Sequence, residues 1–367
     1  MAQIGIGIIG GGYMGKAHAV AYGAVGAVFE TELKPRLVSV AAASPESAAR
    51  YAAAFGFARA APDWRAVVED VEVDAVVIAS PQATHRAIAE AAFALGKPVF
   101  CEKPLGATLD DARAMTAAAQ ASGCVNMIGF NYIRTPVTQY AAQMVARGDL
   151  GKILYFRGEH TEDFYADPTQ PATWRAQGRA NGTMGDLAPH MINAARSLVG
   201  PIDSVMAQIE TVYPTRGGLP VSNDDQAQMM VRFEGGPTGH LFFSRVATGR
   251  KMGYAYEIHG ERGALRFDQE DQNALWYYEA AGPEATRGFR KILGGPAHPD
   301  YAAFCQGPGH GTGYQDQIII EAKAFLEAIH KDAPAWPSFD EGLEVHRTIA
   351  AAWESHQTQS WQKPSDF

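Results

Sequence analysis

The chain has 367 residues, 47% of them hydrophobic and 19% charged, a composition of ordinary globular proteins rather than disordered or fibrous ones. Its net charge of −9, with no run of five or six like charges, argues against nucleic acid or an anionic membrane as partner, since both need a basic patch. Length alone leads one to expect two domains. Three widely spaced cysteines, Cys101, Cys124 and Cys305, form no C-x-x-C and read as free thiols of a reducing compartment. No apolar stretch reaches the ~20 residues of a membrane span. The N-terminal apolar run is short, broken by glycines and without a basic flank, so a cytoplasmic protein is expected.

The first predicted element is a strand at 4–9, where Ile4, Ile6, Ile8 and Ile9 form the apolar burst of a buried parallel strand. It runs into Gly10-Gly11-Gly12-Tyr13-Met14-Gly15, which fits the G-x-G-x-x-G spacing, and a helix follows at 16–25. In that pattern Gly10 permits a tight turn, Gly12 lets the backbone approach a pyrophosphate, and Gly15 lets helix pack on strand. The helix N-terminus adds free N–H groups and partial positive charge.

A second strand at 36–43 ends at Ser44-Pro45-Glu46, a helix-start signal, and a helix at 47–55 stops at Gly56. Strands at 74–80, 98–101 and 125–131 alternate with helices at 86–95 and 110–122. That rhythm means right-handed βαβ units and a doubly wound parallel sheet, an α/β Rossmann domain. Its ligand crevice lies at the carboxyl ends of the strands, where 10–15, Ser44, Ser80-Pro81-Gln82 and Glu102-Lys103-Pro104 all fall.

Past residue 131 the rhythm changes. A helix at 136–147, a strand at 152–160 and a helix at 184–198 precede six strand-like segments: 204–213, 226–233, 239–246, 254–259, 264–267 and 275–279. This is the α+β pattern of a large, mostly antiparallel sheet. Its apolar positions Met206, Met229, Leu241 and Phe243 exceed what one covered face needs, which marks the other face as an oligomer interface. A long loop at 283–313 and helices at 318–330 and about 340–358 close the chain. The expected domains are thus 1–130 and 131–367, with the last helix a candidate to pack back on the first domain.

Besides the glycine turn, two groups of residues could carry chemistry. Lys103 ends a parallel strand, where an ammonium could polarise a hydroxyl or carbonyl; a surface Glu–Lys pair is the plain alternative. Asp186 and His190 are four apart and on one helix would share a face, the acid orienting the imidazole while its other nitrogen takes a proton. As a metal site the pair supplies two ligands and no third, so no metal is expected. A capping Asp beside a structural His is the bland alternative.

Taken together and in this order, the Gly-rich turn with His18, Ala79-Ser80-Pro81-Gln82 with His85, Glu102-Lys103-Pro104 and Gly185-Asp186…His190 resemble the Gfo/Idh/MocA family of oxidoreductases. The stretches Phe130-Asn131-Tyr132, Ala166-Asp167-Pro168…Trp174-Arg175 and Gly295-Pro296-Ala297-His298-Pro299 resemble its branch that holds levoglucosan and scyllo-inositol dehydrogenases. The resemblance implies a Rossmann domain, an open-sheet domain, and dimers or tetramers through that sheet. It implies hydride transfer between a nicotinamide and a CH–OH of a sugar, anhydrosugar or cyclitol, with Lys103, Asp186 and His190 catalytic. The cofactor would lie along Gly10, Gly12, Tyr13, Met14, Gly15, Ser44, Ser80, Pro81, Gln82, His85, Glu102, Lys103, Asn131, Trp174 and Arg175. The substrate would meet Lys103, Tyr132, Arg175, Asp186 and His190; His160, Asp163 and His310 are weighed as further contacts against plain loop polar residues.

One departure bears on the cofactor. An NAD-selective domain usually has Asp or Glu at the end of the second strand. Here Ser44 stands there, with Glu46 two residues on and no neighbouring arginine; Arg50 lies about a turn and a half down the helix. Glu46 would repel a 2′-phosphate, so NAD is expected, with NADP left open. The alternatives to a sugar or inositol dehydrogenase are an aldose- or amino-sugar-directed member and a non-catalytic nucleotide sensor. The joint presence of Lys103, Asp186 and His190 favours the enzyme, since a sensor needs only the cradle.

Overall fold

The computed structural model describes residues 2–367. The chain forms two compact units, one of residues up to Arg134 with Gly313–Leu343, the other of Thr135–Thr312 with Glu344–Phe367.

The first unit is built on six parallel strands in the order β3-β2-β1-β4-β5-β6: β1 (Ala2–Ile9), β2 (Leu33–Ala41), β3 (Arg59–Ala60), β4 (Ala75–Ile78), β5 (Val99–Glu102) and β6 (Asn126–Gly129). Between them run α1 (Tyr13–Val28), α2 (Pro45–Phe55), α3 (Trp64–Val68), α4 (His85–Ala94) and α5 (Leu109–Ser122). Every residue of β4 and β5 is buried, as central parallel strands covered by helices on both faces require. Two small elements, β3 and α3, escape sequence reading because two and five residues carry too little periodicity. The helix Tyr314–Lys331 belongs to this unit. Its Phe325 meets Phe100 edge-on, Gln317 Oε1 accepts from Asn131 Nδ2 at 2.8 Å, and Gln315 donates to the Ala17 carbonyl at 2.9 Å.

The second unit starts with α6 (Pro136–Ala146) and β7 (Ile153–Thr161), then α7 (Thr183–Asp186), α8 (Ala188–Val199) and β8 (Ile202–Glu210). A two-stranded ribbon, β9 (Thr215–Arg216) and β10 (Leu219–Pro220), precedes β11 (Gln226–Phe233), β12 (Thr238–Ser244), β13 (Gly253–Gly260), β14 (Gly263–Asp268), β15 (Ala274–Glu279) and β16 (Arg290–Leu293). Eight of these form one sheet in the order β16-β15-β14-β13-β7-β12-β11-β8, antiparallel except where β7 lies parallel to β12. Strand β16 and the short helix α9 (Tyr301–Phe304) sit inside the segment expected as one long loop. Its pairing partner β15 defines β16, and no pattern within 290–293 betrays it. The remaining helices are α10, the Tyr314–Lys331 helix already placed, and α11 (Phe339–Thr358), whose Ser355 and His356 accept N–H bonds from Ala207 and Ile209 of β8.

Alternation along β11 is strict. Ala227, Met229, Val231 and Phe233 point inward; Gln228, Met230 and Arg232 point out. Met229, Leu241 and Phe243, expected as surplus, are fully buried on the covered face, so of these four positions Met206 alone lies on the open face, paired with the half-exposed Met230 across β8 and β11. Helix α8 covers the inner face and buries Met191, Ile192 and Leu198, each contributing roughly 1.5–3 kcal/mol. Its close seat on β7 depends on Gly158, where a Cβ would lie 2.5 Å from Met191 Sδ.

Candidate active site

The dinucleotide cradle is formed within the first unit. Gly10 takes φ +134°, a left-handed conformation that glycine accepts readily, and a Cβ there would strike the Ala79 carbonyl. A Cβ at Gly15 would sit on the Gly10 carbonyl oxygen, so α1 packs directly on the turn. At Gly12 a Cβ would meet nothing within 4 Å: this glycine is not required by the protein's own packing. It is the N-cap of α1 and offers no side-chain cap, so the first N–H groups of the helix stay available to an anion. Three glycines with three different surroundings fit a pyrophosphate lying over Gly12. Tyr13 is largely exposed beside them, and Met14 Sδ accepts from the Tyr314 hydroxyl at 3.5 Å.

The strand ends around the cradle are tied to one another. Ser44 caps α2, its hydroxyl oxygen accepting from the Ser47 N–H at 3.2 Å. Exposed Glu46 in that first turn has its carboxyl held below the usual range by its own backbone N–H and by Ser44. Ser80 shares a hydrogen bond with Thr84 at 2.6 Å, next to exposed Pro81 and half-buried Gln82. His85 is buried; its Nε2 lies 2.9 Å from the Ser80 carbonyl and its Nδ1 3.2 Å from those of Pro104 and Leu105. Burial lowers its pKa, and the ring sits between the ends of β4 and β5. Glu102 turns back to the buried His18, 2.7 Å away, and away from solvent. Lys103, half-buried, follows it at the end of β5. Asn131 is held by Gln317, and the ring of buried Tyr132 lies 6.1 Å from that of Tyr314.

The second unit assembles a different group. The expected helix over 184–198 is interrupted: Asp186 ends α7, and His190 is the third residue of α8, with Leu187 between. Pro189 has no N–H to continue the ladder back to Gly185, which accounts for the break. Asp186 and His190 therefore do not share one continuous helix face. Instead, Arg175 Nη1 reaches Asp186 Oδ2 at 3.3 Å, and its guanidinium lies over the Trp174 ring at 4.6 Å, with Trp174 itself 63% exposed. The His190 ring packs edge-on against that of His160, 5.6 Å between centroids. His160 is buried, its Nδ1 3.0 Å from the Leu187 carbonyl and its Nε2 3.4 Å from Glu162. The carbonyl can only accept, so Nδ1 carries the proton, and His160 secures the break between α7 and α8.

Two other candidates have separate surroundings. Asp163 accepts from Lys251 Nζ at 2.7 Å and from the Gly249 N–H, and the Lys251 bond lowers its pKa. His310 is exposed, its Nδ1 3.1 Å from Cys305 Sγ. Among the described residues, no group of three or more His, Cys, Asp or Glu side chains is placed to hold a metal.

Sequence reasoning missed a buried polar cluster beside the Arg175–Asp186 pair: Asn223, Asp224, Asp225 and Arg245, all 2% exposed or less. Asp225 Oδ1 takes Arg245 Nε at 3.0 Å, and Asp224 Oδ2 takes the Met184 N–H of α7 at 2.7 Å. Burial pushes the Asp224 carboxyl up to about 6. The local signal is a run of five polar residues, Ser222 to Gln226, leading into an apolar strand, which reads equally as a surface turn.

Comparison with known proteins follows this division. Residues 4–130 match a family model described as an oxidoreductase family with an NAD-binding Rossmann fold, and residues 138–266 match the GFO/IDH/MocA C-terminal domain. The chain is 38% identical over 382 residues to the levoglucosan dehydrogenase of Pseudarthrobacter phenanthrenivorans, spanning 98% of each. It is 27% identical over 353 residues to the inositol 2-dehydrogenase of Rhizobium meliloti, spanning 95% of this chain and 96% of that one. A solved structure of levoglucosan dehydrogenase in complex with NADH and levoglucosan superposes with a TM-score of 0.96 at 38% identity, covering 98% of this chain and 99% of the other.

Proposed function

The chain belongs to the Gfo/Idh/MocA oxidoreductase family, and from that premise we propose that it oxidises a secondary hydroxyl of an anhydrosugar of the levoglucosan kind, with Lys103, Asp186 and His190 as its catalytic group. It is an NAD-dependent dehydrogenase of sugars or cyclitols. The full-length 38% identity to levoglucosan dehydrogenase carries the choice of substrate. When bound in the cradle, NAD supplies the nicotinamide that accepts the hydride.

The chain's own residues handle the proton and the orientation. His190 is the base: an imidazole nitrogen accepts the hydroxyl proton as the hydride leaves. The packing of His160 and the seat of α8 on β7 fix the ring that must receive it. Lys103 stabilises the developing alkoxide, an interaction stronger in the transition state than in the ground state. Asp186, paired with Arg175, holds a neighbouring hydroxyl, and Trp174 offers a flat apolar wall to a pyranose ring. Ser44 and the anionic Glu46 favour NAD over NADP.

Three free cysteines suit a cytoplasmic enzyme, and none of the described helices is long and apolar enough to cross a membrane. The open sheet face, where Met206 of the edge strand β8 pairs with Met230 of β11, is the proposed contact of a homodimer or homotetramer; a monomer by light scattering at micromolar concentration would refute that contact.

The substrate assignment is tested by following NADH absorbance with levoglucosan, inositols and pyranoses, under NAD and NADP. Turnover of levoglucosan or a related pyranose is expected, with NAD the better cofactor. Turnover of lactate or malate above every polyol would overturn the reading.

A further inference from the structure

We propose that Asn223 and Arg245 are positioning residues for the reaction: from the buried side they hold the Arg175 carbonyl, and so set where the Arg175 guanidinium meets Asp186. The inference rests on the reading that Arg175 and Asp186 face the substrate.

The geometry is specific. The Arg175 carbonyl oxygen accepts two bonds, from Asn223 Nδ2 at 2.8 Å and from Arg245 Nη1 at 2.8 Å. Asn223 Nδ2 also reaches the Gly178 carbonyl at 3.1 Å, and Arg245 Nη1 that of Asn181 at 3.1 Å. Thus the segment between Arg175 and Asn181 is gripped at three carbonyls. The remaining donors of Arg245 tie the grip to the sheet: Nη2 donates to Asn223 Oδ1 at 2.7 Å and Nε to Asp225 Oδ1 at 3.0 Å. Its guanidinium also lies over the Tyr165 ring at 4.8 Å.

The same three-residue stretch holds the other partner. Asp224 Oδ2 accepts the Met184 N–H at 2.7 Å, the Asp224 carbonyl accepts the Thr183 N–H at 3.1 Å, and the Asp225 carbonyl accepts from Thr183 Oγ1 at 2.8 Å. Gly182 permits this, since a Cβ there would strike Asp224 Oδ1. Residues 223–225 therefore fix Arg175 through Asn223 and fix α7, which ends in Asp186, through Asp224 and Asp225. The 3.3 Å contact between Arg175 and Asp186 is measured off one common base.

Stability alone is a poor reason for such a cluster. A buried ion pair can often be replaced by apolar side chains with no loss, because desolvation offsets the Coulombic gain. What apolar packing lacks is a planar fork that addresses two carbonyls, an amide and a carboxylate at once. Orientation at that scale matters chemically, since a displacement of ~1 Å can lower rate ~10²-fold.

The experiment is a double-mutant cycle on the NAD-saturated enzyme: Asn223→Ala, Arg175→Ala and both together. Asn223→Ala is expected to lower kcat/KM for the best sugar at least ~10-fold, and to change it less than ~2-fold once Arg175 is already alanine. Equal factors in both backgrounds would mean an independent structural role and overturn the proposal. Arg245→Lys keeps the charge beside Asp225 and loses the fork, so it should reproduce the kinetic loss; full activity in this variant would also overturn it. Amide hydrogen exchange across 175–182 supplies a readout independent of substrate. Exchange should be at least ~10-fold faster in Asn223→Ala than in the parent, and unchanged exchange would refute the grip. Should the parent enzyme turn over no sugar or cyclitol, the functional reading fails by itself, and the exchange measurement still decides the grip.

Discussion

At the scale of single residues, the two sides of the chemistry are prepared differently. Glu102 is occupied with His18 at 2.7 Å, and the proposed mechanism gives the reaction to the lysine that follows it. His190 is only 5% exposed, its ring set by His160 against the α7–α8 break. A hydride leaves carbon only as the adjoining hydroxyl loses its proton, so removing either the base or the alkoxide's partner raises the barrier. Lys103→Ala and His190→Ala are each expected to lower kcat at least ~10²-fold, the range of lost acid–base help. Titration of His190→Ala with NAD should give a Kd within ~3-fold of the parent, because this side chain belongs neither to the glycine turn nor to the residues expected along the cofactor. Near-normal kcat in both would remove these residues from the mechanism.

Among the elements, the turn from β1 to α1 separates packing from binding. Gly10 and Gly15 are glycines because backbone atoms occupy the places their Cβ atoms would take. Gly12 has open space there and an extended backbone at φ −90°, ψ −164° that alanine also adopts. Gly12→Ala should therefore cost no more than ~1 kcal/mol of folding stability, as for an exchange at an N-cap. It should weaken NAD binding at least ~10-fold by keeping the phosphates from the helix end, with isothermal calorimetry and thermal melting as the two readouts. Unaltered NAD affinity would show that the pyrophosphate lies elsewhere.

For the molecule as a whole, folding stability carries a pH signature from Asp224. Its carboxyl stands at about 6 in the fold, through burial, against an ordinary 3.8. Between those values the folded protein keeps a proton that the unfolded chain has released, so stability falls as pH rises. The contribution is complete below ~4 and lost above the folded value, a change on the order of 3 kcal/mol. Asp224→Asn stays neutral and keeps an acceptor for the Met184 N–H. Its melting temperature should match the parent's near pH 4 and exceed it increasingly up to about pH 7; a difference independent of pH would contradict the assignment. Much of this molecule was nevertheless legible beforehand. Apolar bursts at 4–9 and 75–78, each followed by punctuating Gly or Pro and a helix, determined the parallel sheet, because strands covered on both faces must be apolar throughout. The glycine spacing determined the cradle for the same local reason, since one residue type alone tolerates such close backbone approach. What only the tertiary structure decided are contacts between segments far apart in sequence. Gln317 meets Asn131 across 186 positions, and Arg245 meets Arg175 across 70. Met229, Leu241 and Phe243 became core and not interface because β7 is inserted between β13 and β12 and α8 covers that face. A hydrogen bond from a buried side chain to a distant carbonyl leaves no period and no motif in the chain; it exists only once the desolvated groups have nothing else to bond.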